Sequence, residues 1–154
     1  MTYRKLGLAY FHFVAMLFRL QFDFAVSLDQ QTFQYICNTL KEGLESLDVS
    51  TTTHAASAID CLATNYVRLA RKDTNTANAL RAQIQANPSL MESMMHQLFH
   101  IMVFGEVTNQ WTMARPLLPL ILASEMIQPD SWKHFKEHVI GSQPVDSGIR
   151  YVYY

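Results

Sequence analysis

Residues 109–126 read NQWTMARPLLPLILASEM. The stretch is among the most apolar of the chain, yet it contains Pro116 and Pro119. A proline in a helix interior lacks a backbone donor and clashes with the preceding turn, at a cost of about 3 kcal/mol. In the first turn the missing donor has no partner to lose, so proline is tolerated there. A helix that begins near Arg115 places Pro116 at its first position and Pro119 within the first four. The run Leu117 to Ala123 is then one buried helix, and residues 108–114 form a separate turn or short helix meeting it at a bend. On this reading Leu118 and Ile121 lie in a shared core. Trp111 anchors the bend against an adjoining hairpin, and Arg115 pairs with a carboxylate or with carbonyl groups there.

The helical period extends through the rest of the chain. A first segment runs from about Arg4 to Leu20 and weakens or bends near Gln21 to Ser27. Asp29 can cap a helix whose apolar face carries Phe33, Ile36, Cys37, Leu40, Leu44 and Leu47. The hydroxyls of Ser50 to Thr53 suit a new N-terminus, followed by Ala58, Ile59, Leu62, Tyr66, Leu69 and Ala70 to about Arg71. The short link makes these two helices an antiparallel pair. Residues 72–87 begin as a polar surface loop and hold a short helix from Ala77. Asn87-Pro88 is a start signal for a helix with Met91, Met94, Met95, Leu98, Phe99, Met102 and Val103 on one face, ended by Gly105. Gln128-Pro129 repeats that signal ahead of Trp132, Phe135, Val139 and Ile140, to Gly141.

The prediction is an all-α chain of about six helices, either a closed bundle or a stack of hairpins. Only five glycines and five prolines occur, with no hairpin turns between alternating runs, which disfavours β structure. HEAT-type hairpins repeat every ~40–47 residues. The starts at Asp29 and Asn87 lie 58 residues apart, the excess falling in the polar insertion of residues 72–87.

Composition narrows the function. Of the 154 residues, 49% are hydrophobic and 16% charged, against a usual charged share of about 25%. So little charge implies apolar surface meant for a neighbour. A net charge of −1 argues against a nucleic-acid binder that relies on bulk charge. Residues 6–28 are long enough to suggest a membrane span, but His12, Arg19, Gln21 and Asp23 interrupt them, so no membrane insertion is expected. Cys37 and Cys61 read as buried thiols rather than a disulfide.

No constellation supports catalysis or a cofactor. His96 and His100, like His134 and His138, are spaced to share a metal on a helix, with Glu92 and Glu137 nearby. Neither pair has a glutamate directly after its first histidine, as a metalloprotease helix requires. Ordinary polar faces explain them better, and no metal site is assigned. Ser57 and Asp60 near His54 do not form a nucleophile–base–orienter set on one helix. The methionines of MESMMHQLFHIM read as core rather than as an adaptable groove, and Lys133, Lys136 and Glu137 as a solvated face.

The 109–126 block also resembles a segment near the C-terminal end of exportin-7-type nuclear transport receptors, in the importin-β superfamily. The resemblance rests on Asn109, Gln110, Trp111, Thr112 and Met113, then Arg115, Pro116, Leu117 and Leu118, then Leu120, Ile121 and Leu122. EGLESLD at 42–48, NPSLM at 87–91 and GSQP at 141–144 follow in the family's order. The resemblance covers about residues 10–144 and departs at Pro119, where the family has a small residue, and after Pro144.

It implies a right-handed α-solenoid of antiparallel HEAT-type hairpins over residues 1–143, with a divergent tail at 144–154. It further implies part of a receptor, shuttling between nucleus and cytoplasm, that carries protein cargo under control of the Ran GTPase and meets nuclear pore proteins. An isolated segment of this kind is expected to self-associate, because Tyr10, Phe11, Phe13, Leu17 and Phe18 form an exposed hydrophobic end. The alternatives are a HEAT or armadillo scaffold without transport activity and a metal-binding helical bundle.

Overall fold

The computed structural model describes residues 2–105 and 110–130 and the single positions 133 and 137. Among these residues all regular structure is helical. The segments are α1 (Thr2–Leu20), α2 (Phe22–Ser27), α3 (Gln30–Leu44), α4 (Val49–Leu69), α5 (Asn75–Ala86), α6 (Leu90–Phe104), α7 (Gln110–Ala114) and α8 (Leu117–Ile127). The two short segments, α2 and α7, fall where the sequence predicts a weakened helix and a separate turn. Trp132, Phe135, Val139, Ile140 and the tail at 144–154 lie outside the described residues.

Side-chain acceptors set the starts of α3, α4 and α5. Asp29 Oδ1 accepts the Thr32 N–H at 3.0 Å and opens α3. The start of α4 differs from the prediction of hydroxyl caps at Ser50 to Thr53. Asp48 is the cap instead, its carboxylate accepting the N–H groups of Ser50 at 2.9 Å and Thr51 at 3.4 Å. The carboxylate is the stronger acceptor, and the hydroxyls of Thr52 and Thr53 donate back to the Val49 carbonyl within the helix. Thr74 caps α5, which therefore starts two residues before Ala77. Asn87 and Pro88 lie in a turn before α6, with the Leu90 N–H on the Asn87 carbonyl at 3.1 Å. Gly105 ends α6 as expected, its N–H reaching the Ile101 carbonyl at 2.8 Å.

Cross-helix contacts fix the relative directions. Arg4 reaches Asp48, His12 stacks with His54, and Arg19 shares a groove with Cys61, so α1 and α4 run parallel. Asn87 donates to Gln34 while Gln97 donates to the Lys41 carbonyl and Glu45, so α3 and α6 also run parallel. With α8 packed on α4 and α6, the long helices fall in two rows, α1–α4–α8 and α3–α6. α3 and α4 pack together between them, and α5 bridges α2 and α3.

One continuous core joins the rows. Phe18, Phe33, Leu40, Ile59, Leu62, Leu80, Met91, Met94 and Met95 are fully buried, so three methionines of MESMMHQLFHIM are core as predicted, while Met102 is partly buried. Cys37 is buried and Cys61 half-buried, both as free thiols. Burial pushes the Cys37 thiol up to about 12. Leu47, expected on the inner face of α3, is exposed because the helix ends at Leu44. No helix among the described residues is long and apolar enough to cross a membrane.

Candidate docking surfaces

The proline block is where sequence and structure diverge most. Pro116 stands just before α8, at φ −72°, and its carbonyl accepts the Leu120 N–H at 3.0 Å. Pro119 falls in the first turn, so neither proline breaks the helix. Leu118 must be corrected, because it is 65% exposed rather than in the core, and Trp111, expected to anchor the bend, is 87% exposed among the described residues. An eleven-residue helix apolar on nearly every side can bury only one of its faces. Leu120, Ala123 and Ser124 take that face in α8, and Met113 takes it in α7. Pro116 is buried, Ile121 is partly buried, and Arg115 lies on the surface with its guanidinium 3.5 Å from the Asp60 carboxylate.

Both ends of the α1–α4–α8 row are apolar outward. On α1, Val14, Ala15 and Phe18 face the core. Leu6, Ala9, Phe13, Met16 and Leu20, spaced by alternating threes and fours, form a stripe on the opposite face. Leu6 and Phe13 are 68% and 63% exposed. This corrects the residues assigned to the hydrophobic end: Leu17 and Phe18 are buried and Tyr10 and Phe11 partly so, while Phe13 is exposed. Leu118, Leu122 and Met126, each one turn apart, give α8 a similar outer face.

The polar clusters are small and paired among neighbouring side chains. Asp60 meets Arg115 and accepts the Thr64 hydroxyl at 3.4 Å. His12 and His54 stack with ring centres 4.9 Å apart. Burial, and then the charge of His12, hold His54 below the usual imidazole range. His96 lies 3.6 Å from Glu92, and His100 packs on Phe104. Among the described residues no three His, Cys, Asp or Glu side chains are grouped to hold a metal, and His134 and His138 lie outside them.

Sequence reasoning missed Gln83. It is buried, and its Nε2 donates to the carbonyls of Val26 at 3.2 Å and Leu28 at 2.7 Å, pinning the end of α2 to α5. The available signal was a glutamine in line with Ala77, Leu80 and Ile84 on the inner face of α5.

No family model and no solved structure matches the chain. Curated relatives do. The chain is 28% identical over 158 aligned positions to Ran-binding protein 17 of Homo sapiens, and 28% over 152 to exportin-7-B of Xenopus laevis. It is also 28% identical over 156 positions to Ran-binding protein 16 of Drosophila melanogaster. Each match takes in 94% of this chain but only 14% of the relative, so the chain spans about a seventh of their length. Over nearly its whole length, therefore, the chain resembles a fragment of exportin-7.

Proposed function

We propose that the chain is a segment of a nuclear transport receptor of the exportin-7 type, acting as a structural and cargo-binding scaffold within a right-handed solenoid of HEAT-type hairpins. The observation that carries this reading is the similarity to exportin-7 and Ran-binding proteins across 94% of the chain. The helix rows support it. In a repeat array each unit buries its apolar faces against its neighbours, and a helix at a cut end is left with an apolar outer face. α1 is apolar on opposite sides, as suits a helix that lies between two others. On this reading residues 1–143 form the repeat segment and 144–154 a divergent tail.

The whole receptor would bind Ran in its GTP form, protein cargo and nuclear pore proteins, and shuttle between nucleus and cytoplasm. The test is capture of the full open-reading-frame product on immobilised Ran. Retention by GTP-locked Ran and not by Ran–GDP is expected; equal retention on both, or none, rejects the transport reading. The chain by itself would self-associate through its apolar end faces. Sedimentation velocity should show larger species as concentration rises, and replacing Phe13 and Leu20 on the α1 stripe with lysine should return it toward monomer. A wild-type chain that stays monomeric at high concentration would count against an open-ended stack.

A further inference from the structure

Between α1 and α4 lies a groove of about 350 Å3 lined by Arg19, Phe22, Asp60, Cys61, Asn65 and Arg68, with Thr64. Its one carboxylate is already engaged: Asp60 has Arg115 at 3.5 Å and the Thr64 hydroxyl at 3.4 Å. Neither of its cations is in an ion pair among the described residues. Arg19 is exposed and makes no hydrogen bond or ion pair with the described residues. Arg68 is steadied by one guanidinium N–H donated from Nη2 to Asn65 Oδ1, and Asn65 Nδ2 in turn donates to the Cys61 carbonyl at 2.8 Å. Among the described residues the other guanidinium donors of Arg68 have no partner. Phe22 and Cys61, both half-buried, provide the apolar part of the lining.

Guanidinium groups bind carboxylates through paired N–H donors, and an apolar lining between them favours a hydrophobic side chain flanked by acids. We propose that the α1–α4 groove docks an acidic segment of a partner protein. The hydrophobic side chain of that segment rests on Phe22 and Cys61 while its flanking carboxylates meet Arg19 and Arg68. This site uses neither apolar end of the helix row, so it does not depend on how far the stack extends.

The probe is a fluorescein-labelled peptide of sequence DEFDE with blocked ends, read by anisotropy. Its control is NQFNQ, in which every acid becomes the isosteric amide. The acidic peptide should bind, bind less well as salt rises, and exceed the amide peptide by about tenfold or more, the scale of one charged hydrogen-bonded contact. Arg19→Glu should weaken it by at least about tenfold, whereas Lys5→Glu, elsewhere on the same helix, should leave it unchanged. Cys61 offers a readout without mutation: bound peptide should slow its alkylation by iodoacetamide, while the buried Cys37 stays unmodified. Equal binding of the two peptides, indifference to Arg19→Glu, or no protection of Cys61 would each overturn the proposal.

Discussion

The α7–α8 block is far more apolar along its length than the α3–α4 hairpin, and the two use their apolar residues differently. In α3 the apolar positions form one stripe between polar residues, and Phe33, Cys37, Leu40 and Leu44 are all buried. In α8 they occur on every side, so burial selects Leu120 and Ala123 while Leu118 and Leu122 face out. A polar face tells a helix which way to turn; an all-apolar helix takes its orientation from its neighbours.

The largest test of this contrast pairs two truncations. Phe33→Ala removes a fully buried ring and should cost about 3–5 kcal/mol in urea unfolding. Leu118→Ala removes an exposed side chain and should stay within about 0.5 kcal/mol. If the two cost the same, α8 does not face as described and the contrast fails.

Gly43 probes the tightness of the hairpin where α1 crosses it. A Cβ there would meet the Phe11 ring, with Cζ at 2.7 Å, and the Ala55 Cβ at 3.1 Å. Overpacking costs about 1–3 kcal/mol, against roughly 1 kcal/mol gained in helix propensity. Gly43→Ala should therefore lower stability by about 1 kcal/mol net. A gain in the denaturation midpoint would mean that the Phe11 ring yields freely and the crossing is loose.

Pro116→Ala addresses the other member of the pair. The proline stands before the first helical residue, so no interior hydrogen bond is missing and none is recovered by alanine. The expected loss is about 0.4–1 kcal/mol, from the freer unfolded chain. Stabilisation by several times that amount would show that residues 110–127 form one strained helix rather than two segments with a bend.

Much of this was legible from residues alone, for reasons that differ by position. Asp29 could be read as a cap because a carboxylate before an apolar period has few other local roles. The two prolines could be placed because their chemistry allows so few positions. Trp111 misled because its size suggests an anchor, although size says nothing of direction. Met113 carried the better signal: with Leu117, Leu120 and Ser124 it repeats at steps of four, three and four, the inner face that the structure shows. The groove at Arg19 and Arg68 could not be read, since it depends on α1 packing parallel against α4, with α2 and α3 between them in the chain.

The smallest expected effect concerns the seam between those two parallel helices. His54 is held below the usual imidazole range first by burial and then by His12, whose ring lies 4.9 Å away. A histidine with a lowered folded pKa binds its proton more readily in the unfolded chain. Its neutral form thus favours the fold fully above about pH 6.5, the ordinary imidazole value, and this contribution falls as pH drops below that point. The decline stops once the folded group is also protonated. His54→Gln should remove this part of the pH dependence between about pH 5 and 7. His12→Gln should only reduce it, because burial, the larger cause, remains. If His12→Gln abolishes the slope as completely as His54→Gln, the repulsion between the rings outweighs burial. The α1–α4 seam would then be governed by charge, in contrast to the apolar α3–α4 hairpin beside it.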